Sequence, residues 1–121
     1  SQLATAISAF YRDLGSRAQK VTLVTMSEFG RRAYENGSGG TDHGHGGLMM
    51  LLGGNVNGGK IYTDWPGLAE ENLYGPGDLA VTTDFRDVLS EVLLKRLANP
   101  NQHNVFPDYA NWKDLGILRS G

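Results

Sequence analysis

Cysteine is absent from this chain. That excludes a disulfide framework, a Cys-ligated zinc site and a thiol nucleophile. It leaves the redox compartment open. Long apolar runs are also missing: no stretch approaches the roughly 18 residues of a membrane span. Basic residues do not gather beyond Arg31-Arg32, and the formal net charge is −2. A nucleic-acid surface needs a basic stripe, so no nucleic-acid partner is expected. No internal repeat, low-complexity segment, P-loop or nucleophile elbow occurs, and no Ser-His-Asp set can be completed from these residues alone.

Glycine is the residue in excess. It supplies 17 of 121 positions, 14 of them between Gly30 and Gly77. The excess therefore marks one loop-rich region. A chain of 13.1 kDa is long enough for one domain with a real core. Area scaling gives about 6,400 Å² exposed when folded against about 19,000 Å² unfolded. Residues 1–121 read as a single domain. The chain opens on Ser1 and moves at once into a helical pattern, which reads as a piece of a longer protein.

Leu3, Ile7, Phe10, Leu14 and Ala18 fall at helical spacing, which predicts an amphipathic helix ending between Gly15 and Gln19. Val21 to Thr25 is a run of β-formers and predicts a buried strand. Helix followed by strand points to an α/β layered fold. Phe29 to Gly47 reads as a long loop, with one helical turn allowed over Arg31 to Glu35. Leu48 to Leu52 reads as a second strand, stopped by Gly53-Gly54. Asn57-Gly58-Gly59 is turn chemistry, and short strands are predicted at Lys60 to Tyr62 and at Asp78 to Val81. Phe85, Val88, Leu89, Val92, Leu93 and Leu97 form a wide apolar stripe. They predict a helix capped by Thr83 or Asp84 and ended at Asn99-Pro100. The tail containing Val105-Phe106-Pro107 and Trp112 is expected to lie over the surface.

The chemistry concentrates in two segments. Glu28 stands just past the first strand run. Asp42, His43 and His45 sit among glycines just before the second. Carboxylate and imidazole are hard-to-borderline metal ligands, and glycine lets backbone approach a bound ion closely. Were the two strands neighbours, the four side chains would converge at one sheet edge. In an extended segment residues two apart point the same way, so His43 and His45 would face one metal together. Asp42 would then lie opposite or hold a histidine ring from behind. Each has an ordinary alternative: Glu28 as a cap or an ion-pair partner of Arg31 or Arg32, Asp42 and His45 as turn residues. His103 lies in a polar segment and reads as an exposed loop residue. Arg31 and Arg32 present paired donors suited to phosphate or sulfate, or else solvated charges near Glu35.

Several blocks together resemble one bacterial family. They are Val24 to Arg31, Glu35 to Gly46, Gly53 to Tyr62, Trp65 to Leu68 and Asp78 to Leu89, spread over Val21 to Phe106. The family is the exported proteins called domain of unknown function 1501, grouped with the alkaline phosphatase and sulfatase superfamily. The resemblance implies the C-terminal part of an alkaline-phosphatase-like α/β/α sandwich. It also implies hydrolysis or transfer of phosphate or sulfate esters with divalent metal ions (zinc, manganese, calcium or magnesium) and a periplasmic or other extracytoplasmic location. Met26 to Gly30 is similar in position to the superfamily's Asp-His-Gly metal motif, with Glu28 as the acid and Phe29 in place of the histidine. His43 or His45 resembles the histidine that precedes the next strand. The helix from Thr83-Asp84 looks like the superfamily's C-terminal helix.

On this resemblance Glu28, Asp42, His43 and His45 are the expected metal ligands, and Arg31 is the expected contact to an anionic ester. Phe29 cannot ligate a metal. The superfamily's nucleophile and N-terminal metal-binding Asp belong upstream of these blocks, so the catalytic residue is not among those present and the chain is expected to be inactive alone. The other reading is a non-catalytic exported binding protein whose loop holds a structural or vestigial metal. A homo-oligomer is a further expectation, since a sheet cut from a larger sandwich leaves an edge or an apolar face to be covered.

Overall fold

The structure, a computed structural model, describes residues 1–120. It is a mixed α/β arrangement of helices and two small antiparallel sheets. Helix α1 spans Gln2–Leu14. Ser1 caps it, its hydroxyl accepting from the Ala4 amide at 3.3 Å. Gly15 ends it at φ 53°, a left-handed conformation that glycine adopts without Cβ strain. A 3-10 turn over Gly15–Lys20 then leads into strand β1, Thr22–Val24.

Strand β4, Leu51–Gly53, pairs antiparallel with β1, Leu23 opposite Leu52 and Val24 opposite Leu51. The Thr25 amide extends this ladder to the Met50 carbonyl at 2.9 Å. The predicted strand at Leu48 to Leu52 is thus shorter and shifted. Leu48 and Met50 are exposed, and of that run Leu51 and Leu52 lie within the strand.

The expected long loop between the strands is a hairpin instead. Strands β2, Gly30–Glu35, and β3, Thr41–Gly44, pair antiparallel, with Gly30 opposite Gly44 and Arg31 opposite His43. The helical turn allowed over Arg31 to Glu35 is therefore extended backbone. Asn36 builds the hairpin tip. Its side-chain oxygen accepts from the Ser38 and Gly40 amides, both at 3.0 Å, and its own amide donates to the Gly40 carbonyl at 2.8 Å. Such local side-chain bonds are what Asn brings to turns.

Asp78 pairs as a single bridge with Arg32 and with Tyr74, rather than opening a strand to Val81. Lys60 to Tyr62 form no strand; the Tyr62 hydroxyl donates to the Asn57 carbonyl at 2.8 Å and holds that segment against the tail.

Helix α2, Phe85–Glu91, is capped by Asp84, whose carboxylate accepts from the Arg86 amide at 2.9 Å. It continues as a π-helical turn over Val92–Arg96. The Asn99 amide closes the end on the Leu93 carbonyl at 2.9 Å, with Ala98 at φ 50°. A short helix α3, Gln102–Val105, carries His103, which is exposed as expected.

The tail departs most from expectation. Ile117 and Leu118 are buried and join Val88 as the centre of the core, with Met49, Leu51, Val56, Tyr62, Val92 and Leu115 packed around them. Ile117 and Leu118 enter the interior, Leu118 bridging antiparallel to Val56, while Val105 and Pro107 lie exposed on the surface as expected.

Candidate functional site

The hairpin and the Asp78 segment position the predicted residues. Gly30, Gly44 and Gly46 let three backbone segments meet without side chains between them. A Cβ on Gly30 would lie 2.1 Å from the Gly46 carbonyl oxygen, and one on Gly46 would lie 2.6 Å from that of Ala80. The Arg31 amide donates to the Gly46 carbonyl at 2.8 Å, and the Gly46 amide donates to Leu79 at 2.8 Å. The glycines around the histidines thus serve backbone packing.

His45 projects from the end of this junction onto Asp78. Its Nδ1 lies 3.3 Å from Asp78 Oδ2, and its ring leans on Tyr74 with centroids 4.3 Å apart. The Asp78 side chain is 13% exposed, against 57% for His45. Arg32 approaches the other carboxylate oxygen, its Nε 3.5 Å from Oδ1, and its Nη2 donates to the Pro76 carbonyl. The result is an exposed imidazole backed by a sheltered carboxylate that a guanidinium holds in place.

His43 takes a different course. Its ring stacks on Phe29, centroids 3.7 Å apart and planes inclined by 33°. Opposite it on β2, Arg31 is exposed but donates through Nη1 to the Thr41 carbonyl at 3.0 Å. Asp42 accepts from the Asn36 side-chain amide at 3.0 Å, which ties it to the hairpin tip. Glu28 is exposed in the bend between β1 and β2.

Strands β1 and β4 are neighbours, which meets the geometric condition set by the sequence. The four predicted donors nevertheless separate: Glu28 at a bend, Asp42 on Asn36, His43 on Phe29, His45 on Asp78. Among the described residues no group of three or more His, Asp or Glu side chains lies together in a way that could hold a metal ion. Their donor chemistry suits a divalent ion, but their arrangement in this chain alone does not fit one. Asp78 was missed by sequence reasoning. It stands 33 positions from His45, and only the fold brings the two into contact.

Residues 1–104 match the family described as protein of unknown function (DUF1501). The chain belongs to that family. The match takes in α1 as well as every block from Val24 to Leu89 and leaves the core-forming tail outside it. No curated protein and no solved structure matches the chain. Family membership carries no activity with it, so chemistry has to be argued from the residues. Among the described residues no helix is long and apolar enough to cross a membrane.

Proposed function

We propose that this chain is the C-terminal portion of an exported, metal-dependent hydrolase of phosphate or sulfate esters, built on an alkaline-phosphatase-like α/β/α sandwich. The observation that carries the reading is the His45–Asp78 pair, an imidazole oriented by a carboxylate, with the Arg31 and Arg32 guanidinium groups on the adjoining strand. Imidazole and guanidinium together suit an anionic ester: one exchanges a proton or binds a cation, the other matches two anion oxygens.

Glu28, Asp42, His43 and His45 are the donors this chain offers to a divalent ion, and Arg31 is its anion contact. The nucleophile and the remaining ligands come from polypeptide outside these residues. The accessible surface supports that incompleteness. It measures 8332 Å², well above the about 6,400 Å² expected of a compact chain this size.

A second reading has its own observation. Phe29, which cannot ligate a metal, occupies one face of the His43 ring at 3.7 Å, and this favours a binding module over a metal centre. Metal and ester assays separate the two. Zinc and manganese binding are measured for this chain and for a longer polypeptide that carries it, each with Glu28→Ala and His43→Ala, alongside hydrolysis of p-nitrophenyl phosphate and p-nitrophenyl sulfate. The hydrolase reading expects negligible turnover from this chain alone, with metal-dependent turnover from the longer polypeptide lost in both variants. Robust turnover from the chain alone would overturn the partial-site reading. A longer polypeptide that binds no metal and hydrolyses neither ester would leave the binding-protein reading.

A further inference from the structure

We propose that Asp78 is a positioning residue for His45, fixing the ring with its proton on Nδ1 and so making Nε2 the atom that meets a ligand. An ionised carboxylate only accepts hydrogen bonds. With Oδ2 at 3.3 Å from Nδ1, the proton of a neutral ring belongs on Nδ1, and the lone pair then lies on Nε2. The nitrogen opposite a carboxylate is the usual ligating or proton-accepting one.

Both partners are held from several sides. The Asp78 amide donates to the Tyr74 carbonyl and the Tyr74 amide donates back, each at 2.9 Å. Arg32 balances Oδ1, leaving Oδ2 for the ring. The His45 backbone is pinned next door by buried Gly46, and its ring rests on Tyr74. Neither His43 nor His103 has a carboxylate against a ring nitrogen among the described residues. The electrophile Nε2 would take is a borderline divalent cation or a hydroxyl proton. This deepens the hydrolase reading and rests on it for the identity of that ligand, not for the ring's geometry.

The test is the tautomer of each histidine, read from long-range nitrogen–proton correlations in the 15N-labelled chain at about pH 9, above the ordinary imidazole range. His45 is expected as the Nδ1–H form, with His43 and His103 as internal comparisons in the Nε2–H form. Asp78→Ala should lose the Nδ1–H form at His45. Arg32→Gln, which removes the ion pair but leaves the acceptor, should retain it. A predominantly Nε2–H His45 in the unaltered chain overturns the proposal, even if Asp78→Ala does not fold. So does a folded Asp78→Ala with an unchanged His45 spectrum. The measurement needs neither metal nor ester, so a failure of the hydrolase reading leaves its outcome untouched.

Discussion

The Glu91 carboxylate receives the Leu118 amide at 2.7 Å in the fully buried centre of the core. The same oxygen accepts from Lys95 Nζ at 2.9 Å, and the other accepts from the Leu115 amide at 3.1 Å. One acid on α2 thus satisfies two tail amides and one cation, and it holds Ile117 and Leu118 against Val88. Truncation strands the two tail amides in a poorly hydrated place and leaves Lys95 Nζ with Asp114 alone. Glu91→Ala is expected to cost about 3 kcal/mol or more, a large share of the 5–15 kcal/mol that a domain has. Glu91→Gln, which keeps the shape, should cost clearly less. Urea unfolding midpoints of the two variants check the order. Equal midpoints would mean that the tail is held by apolar packing instead.

Asp87 repeats the device one turn earlier. It accepts from the Tyr109 hydroxyl at 2.9 Å and from the Lys113 amide at 2.7 Å. The hydrogen bond to Asp87, with burial, pushes the Tyr109 phenol above its ordinary value. Its contribution to stability is fully present below about pH 10, the unfolded phenol's range, and is lost as pH rises through the folded value. Tyr109→Phe should therefore narrow its stability deficit above about pH 10. Unfolding curves measured from neutral to alkaline pH check this; a deficit constant across that range would count against it.

At the acid end Asp84 and Asp114 run the other way. The Arg86 guanidinium, bonded at 2.7 and 2.9 Å, holds the Asp84 carboxyl below its ordinary range, and Lys95 does the same for Asp114 at 2.8 Å. That stability is fully present above about pH 4 and is lost as pH falls through the lower folded values. Asp84→Asn, which keeps a capping oxygen, should flatten the acid limb below about pH 4. Thermal unfolding in that window would show an unchanged slope if the ion pair carried no weight.

The sequence exposed the elements whose signals are local. The helical period of α1, the β-formers around Thr22–Val24 and a cap at Thr83 or Asp84 were legible because period and capping act within a few residues, although β1 is half-buried rather than buried and Asp84 is the cap. The β2–β3 hairpin did not read, since Gly30 to Glu35 carries two arginines and no apolar alternation. Its pairing depends on glycines that let segments far apart in sequence touch. The same cause parts the predicted donors in this chain. Residues two apart share a face only while the chain stays extended, and β3 ends at Gly44. The alternation therefore never reaches His45, which turns to Asp78 while His43 turns to Phe29. The burial of the tail's end was missed because the apolar pair Ile117-Leu118 is too short to show a period. Its anchors, Asp87 and Glu91, lie on α2, where acids ordinarily mark a solvent face.

Glycine packing at the hairpin gives a sharp prediction. Gly30 sits where any Cβ meets two carbonyl oxygens, of Gly46 at 2.1 Å and of His45 at 2.2 Å. These are backbone atoms and cannot swing aside as a side chain would. Gly30→Ala is expected to part β2 from the Gly46 segment, at about 1–3 kcal/mol by the usual cost of overpacking, and to loosen His45 from Asp78. Gly37→Ala is the comparison: no neighbour lies within 4 Å of its Cβ position, and the change should be nearly neutral. Amide exchange at Arg31 and Gly46 reports the parting directly. Equal protection in the two variants would show that the junction is plastic.

Among the described residues only Val88, Ile117 and Leu118 are buried large apolar side chains, while Leu3, Phe10, Met26, Leu48, Ile61 and Trp65 are among those left exposed. No residue of α1 is buried, although its stripe is that of a helix meant to lie on something. The two-stranded β1–β4 sheet also has free edges, which invite strand addition. The excess over a compact chain is about 1,900 Å², more than the about 800 Å² that one partner contributes to a stable interface. The isolated chain is therefore expected to self-associate in the micromolar-to-millimolar range where exposed apolar surface drives association. It should also bind an apolar dye such as ANS. Leu3→Lys with Phe10→Lys, which charges the open face of α1 without touching the core, should reduce both. Sedimentation velocity showing a monomer at about 0.1 mM, together with no dye binding, would mean that these side chains tolerate water as they stand and that α1 needs no cover.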